Sequence, residues 1–304
     1  MVADPIRLAV VGLGAMGTRM LTAAQAHPDF TVVAGVDVVP RAVDVPVVPS
    51  LDDVLSDVDA VYLATPPAVH AGQAVKALAA GKAVFCEKPL AVDLGEARAM
   101  VEAAAGHPNA VNFALSDMAA TLEVERQLPS LGELRGVEVR LQFPKWPREF
   151  QKDALWLAES RQGGFVREVL SHFVYLTDRV LGPLAVESVS ADFPSAGAAE
   201  VAARGVLRSG DGVPVHVSAF SGLAGPEVYE WTVWGTRRSL RLSQWARLSG
   251  SDGGPWEPVE LGARGSDSAR LGLFAQAVRG EHPRDLADFA SGLRVAEVVE
   301  AFLR

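Results

Sequence analysis

A glycine-rich stretch, GLGAMG at residues 12–17, is the feature that most constrains how this chain can fold. It directly follows the apolar run IRLAVV, which predicts a buried strand, and it precedes a segment with helical spacing. Gly12, Gly14 and Gly17 form the pattern G-x-G-x-x-G. Alone this pattern is weak because glycine is common, but between a strand and a helix it is typical of a turn that binds dinucleotides.

Each part of such a turn has its own task. The first glycine allows the tight turn, the second lets the backbone approach a pyrophosphate, and the third allows close packing of helix on strand. The helix would begin at Ala15 and Met16, where free N–H groups and the helix dipole favour phosphate. Asp37 follows Gly17 by about 20 residues, at the end of a second strand, where a carboxylate binds ribose hydroxyls.

The residues around Asp37 also bear on which dinucleotide binds. A carboxylate there repels the 2′-phosphate of NADP, which favours NAD. Arg41 lies four residues on and could reach such a phosphate, although a solvated surface arginine is the simpler interpretation. We therefore expect NAD or NADP as the cofactor, with NAD slightly favoured.

The first third of the chain alternates strands and helices. Its strand-like runs are near-continuous in Val, Ala and Leu, as in a parallel sheet covered on both faces. This predicts a doubly wound α/β domain over residues 1–117. The predicted strands are 6–12, 30–37, 59–65, 82–86 and 109–114, and helices are predicted at 68–81 and 94–105.

The remainder, 118–304, has runs of adjacent strands with little helix between them. Such runs predict an α/β domain with a large, mostly antiparallel open sheet. The last helix, near 286–303, could pack back on the first domain. The other predicted elements are strands at 134–143, 184–193, 200–208, 213–221, 228–235 and 239–244, and helices at 162–183 and 268–279.

The helix predicted at 162–183 carries a polar stripe beside its apolar one. Glu168, His172, Tyr175 and Arg179 recur at helical spacing. From this helix alone, a solvated outer face is the simpler interpretation. In the catalytic interpretation, His172 exchanges protons near neutral pH, Glu168 orients its imidazole and Tyr175 adds a second hydroxyl.

The tripeptide Glu87-Lys88-Pro89 directly follows the fourth strand. Taken alone, it would be a solvated strand end. Its position places it at the carboxyl edge of a parallel sheet, where ligands bind. Glu87 is expected to hydrogen-bond the cofactor or the backbone, or to form a simple ion pair with a neighbour.

With GLGAMG, ATPPAVH at 64–70, CEKPL at 86–90 and GGFVREVLSH at 163–172 in this order, the chain resembles the Gfo/Idh/MocA family of NAD(P)-dependent oxidoreductases. The resemblance covers nearly the whole length. It implies an N-terminal Rossmann domain and a C-terminal domain whose open sheet forms homodimers or homotetramers. The implied reaction is hydride transfer between NAD(P) and a carbinol or ketone of a small cyclic, sugar-like substrate.

The resemblance also assigns roles to particular residues. It implies that Lys88 contacts the nicotinamide ribose and the reacting oxygen, and that His172 is the proton-transfer group. An ammonium at the position of Lys88 would stabilise developing alkoxide charge. The residues expected near the cofactor are Thr65, Pro66 and His70.

Two positions depart from the family pattern. Glu168 replaces an aspartate in the same role, and Tyr175 replaces a second aspartate that often touches substrate hydroxyls. Tyr175 could instead be the acid in a reductive reaction or stack on a less polar ligand. A non-catalytic NAD(P)-binding sensor or scaffold and an imine or ketone reductase therefore stay open as alternatives.

Composition narrows the partners and the compartment. The net charge of −9 and pI of about 5.2 argue against a nucleic-acid partner. There is no apolar run long enough to cross a bilayer and no basic start of a signal peptide. The single cysteine, Cys86, can neither pair within the chain nor build a metal site by itself. We expect a cytoplasmic enzyme that needs no metal.

Overall fold

The computed structural model describes residues 4–304, which form two compact units. The first unit contains the described residues up to Ser116 together with Gly265–Leu293. The second contains Asp117–Arg264 together with Arg294–Arg304. A segment close to the end of the chain therefore belongs to the first unit, although the bulk of the second unit precedes it in the sequence.

The first unit is built on a six-stranded sheet in which every neighbouring pair is parallel. Its strands are β1 (Ile6–Val11), β2 (Phe30–Val36), β3 (Val47–Val48), β4 (Ala60–Leu63), β5 (Ala83–Cys86) and β6 (Asn109–Val111). Their order is β3-β2-β1-β4-β5-β6, which is the order of doubly wound dinucleotide-binding folds. β4 and β5 are buried along their whole length, so the predicted parallel sheet is confirmed.

Seven α-helices lie within the described residues, and none has the length and apolar character needed to cross a membrane. They are α1 (Ala15–Gln25), α2 (His70–Ala79), α3 (Leu94–Ala103), α4 (Ala119–Gln127), α5 (Ser171–Leu181), α6 (Asp267–Val278) and α7 (Phe289–Phe302). The last of these begins in the first unit and ends in the second.

Aromatic packing explains why α6 belongs to the first unit. The ring of Phe274 on α6 lies 5.1 Å from the ring of Phe85 on β5, measured between centroids, and 6.5 Å from that of Phe30. All three side chains are buried in the core of the parallel sheet. Burying one such ring stabilises a fold by about 1.5–3 kcal/mol, so α6 is an integral part of this core.

The second unit is built on an eight-stranded sheet. Its strands are β7 (Leu134–Phe143), β8 (Leu184–Asp192), β9 (Ala202–Ser209), β10 (Pro214–Ser221), β11 (Val228–Gly235), β12 (Ser239–Ser243), β13 (Arg247–Ser251) and β14 (Glu257–Pro258). The order is β14-β13-β12-β11-β7-β10-β9-β8. Only the β7–β10 pair is parallel among the paired strands described, so the predicted large, mostly antiparallel sheet is confirmed.

The two faces of this sheet differ, as two tryptophans on β11 show. Trp231 is fully buried, whereas Trp234, three residues on, is 39% exposed. Successive side chains of a strand point to opposite faces, which accounts for the difference. The indole N–H of Trp231 donates to the hydroxyl of Thr177 at 2.9 Å, so α5 covers the buried face.

The helical segment predicted at 162–183 contains a change of helix type. Val166–Leu170 forms a π-helical turn that continues directly into α5, and Gly182 with a φ of 79° ends the helix. Gly164 precedes the turn with a φ of 94°, and a Cβ there would lie 2.1 Å from a carboxylate oxygen of Glu200. The glycine is therefore required by both conformation and space. Short π-helical turns occur frequently at functional sites.

Candidate active site

The glycine-rich turn brings two backbone segments into close contact. A Cβ at Gly17 would lie 1.7 Å from the carbonyl oxygen of Gly12, so no larger residue fits there. Gly12 itself has a φ of 86° and packs against the backbone of Ala64 at the end of β4. A Cβ at Gly14, by contrast, would meet nothing within 4 Å. The space in front of Gly14 is open, as close approach of a ligand to the backbone requires.

The N-terminus of α1 has free donors at this open space. Gly14 is the N-cap, and within the described chain no side chain caps the helix and no acidic residue lies in its first turn. The first N–H groups of a helix have no partner inside the helix, which applies here to Ala15 and Met16. The Met16 side chain is exposed and leaves the backbone accessible. These features fit the pyrophosphate of NAD(P).

Asp37 lies just beyond β2, and its carboxylate accepts hydrogen bonds from the N–H groups of Leu13 and Val39 at 2.9 and 2.8 Å. The Arg41 guanidinium lies 3.3 Å away. Burial acts to raise the pKa of Asp37, but these two hydrogen bonds and Arg41 outweigh it and lower the pKa. Asp37 is therefore an anion beside the glycine-rich turn, as binding to ribose hydroxyls requires.

A buried polar network anchors Glu87. Its carboxylate accepts hydrogen bonds from the Tyr62 hydroxyl and, at 2.8 Å, from the Asn112 amide. Arg270 of α6 donates to the Asn112 carbonyl oxygen at 2.8 Å and to Asp267 at 2.6 Å. Burial and the Glu87 charge raise the pKa of Tyr62 well above its usual range, so the hydroxyl stays protonated and keeps donating. The network fixes the backbone from which Lys88 projects.

His70 connects the loop after β4 to the one after β5. Its Nδ1 lies 3.0 Å from the carbonyl oxygen of Pro89, and its Nε2 lies 2.9 Å from that of Thr65. The ring is fully buried, and burial lowers the pKa of His70 despite these carbonyls. The hydroxyl of Thr65 donates to Gln73 of α2 at 2.7 Å. His70 thus holds Thr65, Pro66 and half-buried Lys88 in place through the backbone.

In the second unit, the two middle residues of the polar stripe are buried. His172 is 6% exposed and Tyr175 is 4% exposed, both on α5. Arg179, next along the stripe, forms an ion pair with Glu125 of α4 at 2.9 Å. The solvated outer face that the helix alone favours is therefore excluded. Polar groups are buried at a cost unless they have partners or a function.

Glu168 lies in the π-helical turn one turn before His172. Its carboxylate accepts a hydrogen bond from the Gln151 amide at 2.8 Å and lies 3.6 Å from the guanidinium of Arg148. Arg148 also donates to the Tyr229 hydroxyl at 3.0 Å. The segment before the helix, rich in aromatic and basic residues, thus reaches Glu168 through Gln151 and Arg148.

Two sets of polar or aromatic side chains were not found from the sequence. Tyr62 and Asn112 are polar residues inside or beside apolar parallel strands, and that contrast could have marked them. Trp245 packs against the His172 ring with centroids 5.3 Å apart, and Tyr229 packs against Trp245 at 5.2 Å. No local sequence signal places the loop of Trp245 beside a distant helix.

Comparisons with known proteins agree with this geometry. The model of the oxidoreductase family with an NAD-binding Rossmann fold, the Gfo/Idh/MocA family, matches residues 6–114. The model of the Gfo/Idh/MocA C-terminal domain matches residues 129–241. The fold, the glycine turn and these matches define an NAD(P)-dependent dehydrogenase or reductase. The chain belongs to the Gfo/Idh/MocA family.

Individual relatives are more distant. An oxidoreductase subunit, putatively of UDP-kanosamine synthase, from Amycolatopsis mediterranei is 28% identical, over 95% of this chain and 88% of its own. An inositol 2-dehydrogenase from Cereibacter sphaeroides is 34% identical over 32% of each chain. The structure of the WlbA dehydrogenase from Bordetella pertussis, solved with NADH and UDP-GlcNAcA, is similar to that of this chain, with a TM-score of 0.82. The two sequences are 22% identical, and the match covers 99% of this chain and 95% of WlbA.

Proposed function

We propose that His172 and Lys88 act together on one oxygen of a sugar-like ring during hydride transfer. In the oxidative direction His172 accepts the hydroxyl proton, and in the reductive direction it returns that proton to the keto oxygen. Bound NAD(P) supplies the hydride acceptor or donor at C4 of its nicotinamide. A positioned general base of this kind contributes about 10²–10⁴-fold to a rate.

The observation that carries this proposal is the burial of His172. An imidazole is the side chain whose ordinary pKa is closest to neutral pH, so it can both accept and return a proton there. On a helix that simply covered a sheet, a polar stripe would face water. Here the stripe is buried, which calls for a role beyond solvation.

Lys88 would stabilise negative charge on the same oxygen. Its family counterpart contacts the nicotinamide ribose and the reacting oxygen, and the hydrogen bonds of Glu87 and His70 hold the flanking backbone here. An ammonium aimed at a developing alkoxide lowers the barrier in the manner of an oxyanion hole. The rigid flanks support this role because preorganised charge needs no rearrangement during the reaction.

Glu168 and Tyr175 would assist His172. Glu168, one turn away, would orient the imidazole and stabilise its charged form, as the carboxylate of a catalytic triad does. Tyr175 would be a second proton partner or a contact to the substrate. The position of Glu168 one turn before His172, where it is half-buried, and the burial of Tyr175 on α5 support these roles.

NAD is proposed as the preferred cofactor. The lowered pKa of Asp37 keeps a negative charge where NADP would carry its 2′-phosphate. Arg41, the candidate for binding that phosphate, is engaged by Asp37 at 3.3 Å. The same charge suits the neutral ribose hydroxyls of NAD.

For the substrate, we propose a sugar ring carried on a nucleoside diphosphate. The support is a relative that matches nearly the whole chain and is named as a putative oxidoreductase subunit of UDP-kanosamine synthase. The inositol dehydrogenases match only about a third of the chain, so they support the cofactor domain more than the substrate. A free polyol is therefore the second choice.

The test is turnover with a defined panel. Purified protein is mixed with NAD or NADP and with UDP-N-acetylglucosamine, UDP-glucose or myo-inositol, and nicotinamide absorbance is followed. We expect reduction of NAD with a nucleotide sugar, lost in His172→Gln and kept in His282→Gln, whose imidazole is exposed outside the eight-stranded sheet. Turnover only of imines or non-sugar ketones would contradict the substrate class.

We also propose that the exposed face of the eight-stranded sheet joins copies of this chain into a dimer or tetramer. The exposed Trp234 on that face supports this. Light scattering should show a dimer or tetramer, and Trp234→Glu should shift it to a smaller species. A monomeric wild-type protein would contradict it. A cytoplasmic location stays a prediction of the sequence.

A further inference from the structure

Trp245 is held in an unusual backbone conformation. It lies in the loop between β12 and β13, where Ser243 pairs with Arg247. Gln244 and Trp245 both have positive φ, 47° and 70°. The Ala246 N–H donates to the Gln244 carbonyl oxygen at 2.9 Å and closes a three-residue turn around Trp245. A positive φ at the centre of such a turn is the rare and strained form of the γ-turn.

The side chain at this turn opposes the local preference. Hairpin loops with positive φ favour Gly, Asn or Asp, because a Cβ crowds the backbone in that conformation. Tryptophan has no such adaptation to the turn. Strained residues persist only where the surrounding structure fixes them, and they cluster at functional sites. The contacts of the Trp245 indole therefore indicate its role.

The Trp245 indole contacts the side chain of His172. The indole lies 5.3 Å from the His172 ring in an edge-to-face arrangement, with an angle of 85° between the planes. It also packs against Phe173 at 5.3 Å and Tyr229 at 5.2 Å, both tilted. Edge-to-face contacts at this distance are favourable and restrict the orientation of both rings.

Tyr229, which packs against the indole, is itself held by two charged residues. Tyr229 accepts a hydrogen bond from Arg148 at 3.0 Å and donates to Glu227. Burial and the bond to Glu227 raise the pKa of Tyr229 to about 12, so its hydroxyl stays protonated and the bond to Glu227 persists at neutral pH. The Tyr229 ring is thus a fixed support for Trp245, which in turn contacts His172.

We propose that Trp245 is a positioning residue that sets the orientation of the His172 imidazole for proton transfer. This inference rests on the proposed role of His172. A general base must lie within hydrogen-bonding reach of its proton, so a ring free to rotate about its own side chain would spend time out of line. The strained turn delivers a rigid indole against one edge of that imidazole.

A spectroscopic test needs no substrate. Protonated imidazole quenches the fluorescence of an indole in contact with it. The chain has six tryptophans, so the difference between wild type and Trp245→Phe isolates the emission of Trp245. We expect that emission to fall as the pH drops from about 8 to about 5, the range in which an imidazole ordinarily gains a proton, and to lose this dependence in His172→Gln. Emission of Trp245 that does not change with pH, or that changes equally in His172→Gln, would overturn the contact.

The kinetic test separates positioning from folding. Trp245→Leu should lower kcat about tenfold or more, with KM nearly unchanged and a shifted pH profile of kcat, whereas Trp245→Phe should recover much of the rate. Arg247→Ala is the matched control, because it truncates an exposed side chain of the same hairpin outside the strained turn, and it should leave kcat unchanged. Thermal unfolding of each variant shows whether a loss is structural.

The outcomes are distinguishable. If His172→Gln abolishes turnover while Trp245→Leu, folded, keeps the wild-type kcat and pH profile, the positioning role is overturned and the role of His172 stands. If neither variant changes kcat, the proposed function itself fails. Equal loss in Trp245→Leu and Arg247→Ala would show that an intact hairpin is what matters and would also overturn the role of Trp245.

Discussion

The candidate site residues fall into two sets, the cofactor half in the first unit and the substrate half in the second unit, and the two are built in different ways. In the first unit, the candidate site consists mainly of backbone groups. They are the accessible backbone at Gly14, the free N–H groups of α1 and the carbonyls that hold His70. In the second unit, the site is made of side chains, with His172 and Tyr175 buried on α5. Backbone binding leaves a short, fixed signature in the sequence, whereas a side-chain site depends on what distant segments bring to it.

The difference predicts where each half tolerates change. A glycine whose Cβ would overlap backbone permits no substitution, while a side-chain site can exchange one carboxylate for another and keep its chemistry. Glu168 and Tyr175 stand where the family pattern has aspartates. We therefore expect the residues of the cofactor half to vary little among members of the family. The residues of the substrate half are expected to differ and to determine which substrate is bound.

The largest expected effect lies in the second half. His172→Gln should lower kcat by about 10²–10⁴-fold, because it removes the proposed general base. Binding of NADH, measured by fluorescence titration, should stay unchanged because the residues expected to bind the cofactor all belong to the first unit. His282→Gln, exposed in the loop after α6, is the control and should keep full activity. If His172→Gln bound NADH tenfold less well, the assignment of cofactor binding to the first unit alone would be contradicted.

The next effect tests the backbone character of the first half. Gly14→Ala has room for its Cβ within the protein, so the melting temperature should hold while NADH binding weakens at least tenfold, about 1.4 kcal/mol. Gly17→Ala should instead destabilise the fold, since its Cβ would meet the Gly12 carbonyl oxygen. Gly72→Ala on α2 also has open space and is the matched control. Unweakened NADH binding in Gly14→Ala would contradict the assignment of the turn.

A smaller effect concerns cofactor choice. Asp37→Ser removes the negative charge beside the glycine turn and frees Arg41, so the ratio of Kd values for NADPH and NADH should move toward NADPH by about tenfold. Isothermal titration of both cofactors gives that ratio. Asp52→Ser removes an exposed carboxylate elsewhere in the same unit and should leave it unchanged. A ratio that moves further toward NADH would be incompatible with the proposed role of Asp37.

The smallest effect is on stability and comes from Glu200 beside the π-helical turn. Burial raises its pKa above 4.5, although the Val166 N–H donates to it at 2.7 Å. As the pH rises from about 4.5 to the raised native pKa, the unfolded chain has released the proton that the native chain keeps, so stability falls. Glu200→Gln should remove this slope.

Thermal unfolding across pH measures this effect. At neutral pH Glu200→Gln should melt higher, by about 2–4 °C for each kcal/mol recovered. Glu187→Gln is the contrasting control. An exposed ion pair with Arg208 lowers the pKa of Glu187, so its loss should not raise the melting temperature. A lower melting temperature for Glu200→Gln at neutral pH would show that Glu200 is ionised and stabilising.

Much of the fold follows from local sequence signals. Buried apolar runs predicted five of the parallel strands, and runs of adjacent strands with little helix between them predicted the large, mostly antiparallel sheet. The short β3 was not predicted because two residues carry no period. That α6 belongs to the first unit was not foreseen either, since the ring of Phe274 meets Phe85 only through long-range packing.

For the candidate site residues too, local features could be predicted from the sequence and long-range contacts could not. The glycines and Asp37 could be predicted because their geometry is local to one strand, turn and helix. The burial of His172 could not, because it depends on what covers α5 and not on the helix itself. Trp245 gave no signal at all, since a strained turn residue is recognised only from its φ and its contacts.

The most direct measurement is a crystal structure of the protein with NAD and a substrate from the turnover panel. The account predicts that the Lys88 ammonium nitrogen and one imidazole nitrogen of His172 both lie within about 3.2 Å of the same substrate oxygen. If that oxygen is held by other groups, with either nitrogen beyond hydrogen-bonding reach, the proposed chemistry is contradicted.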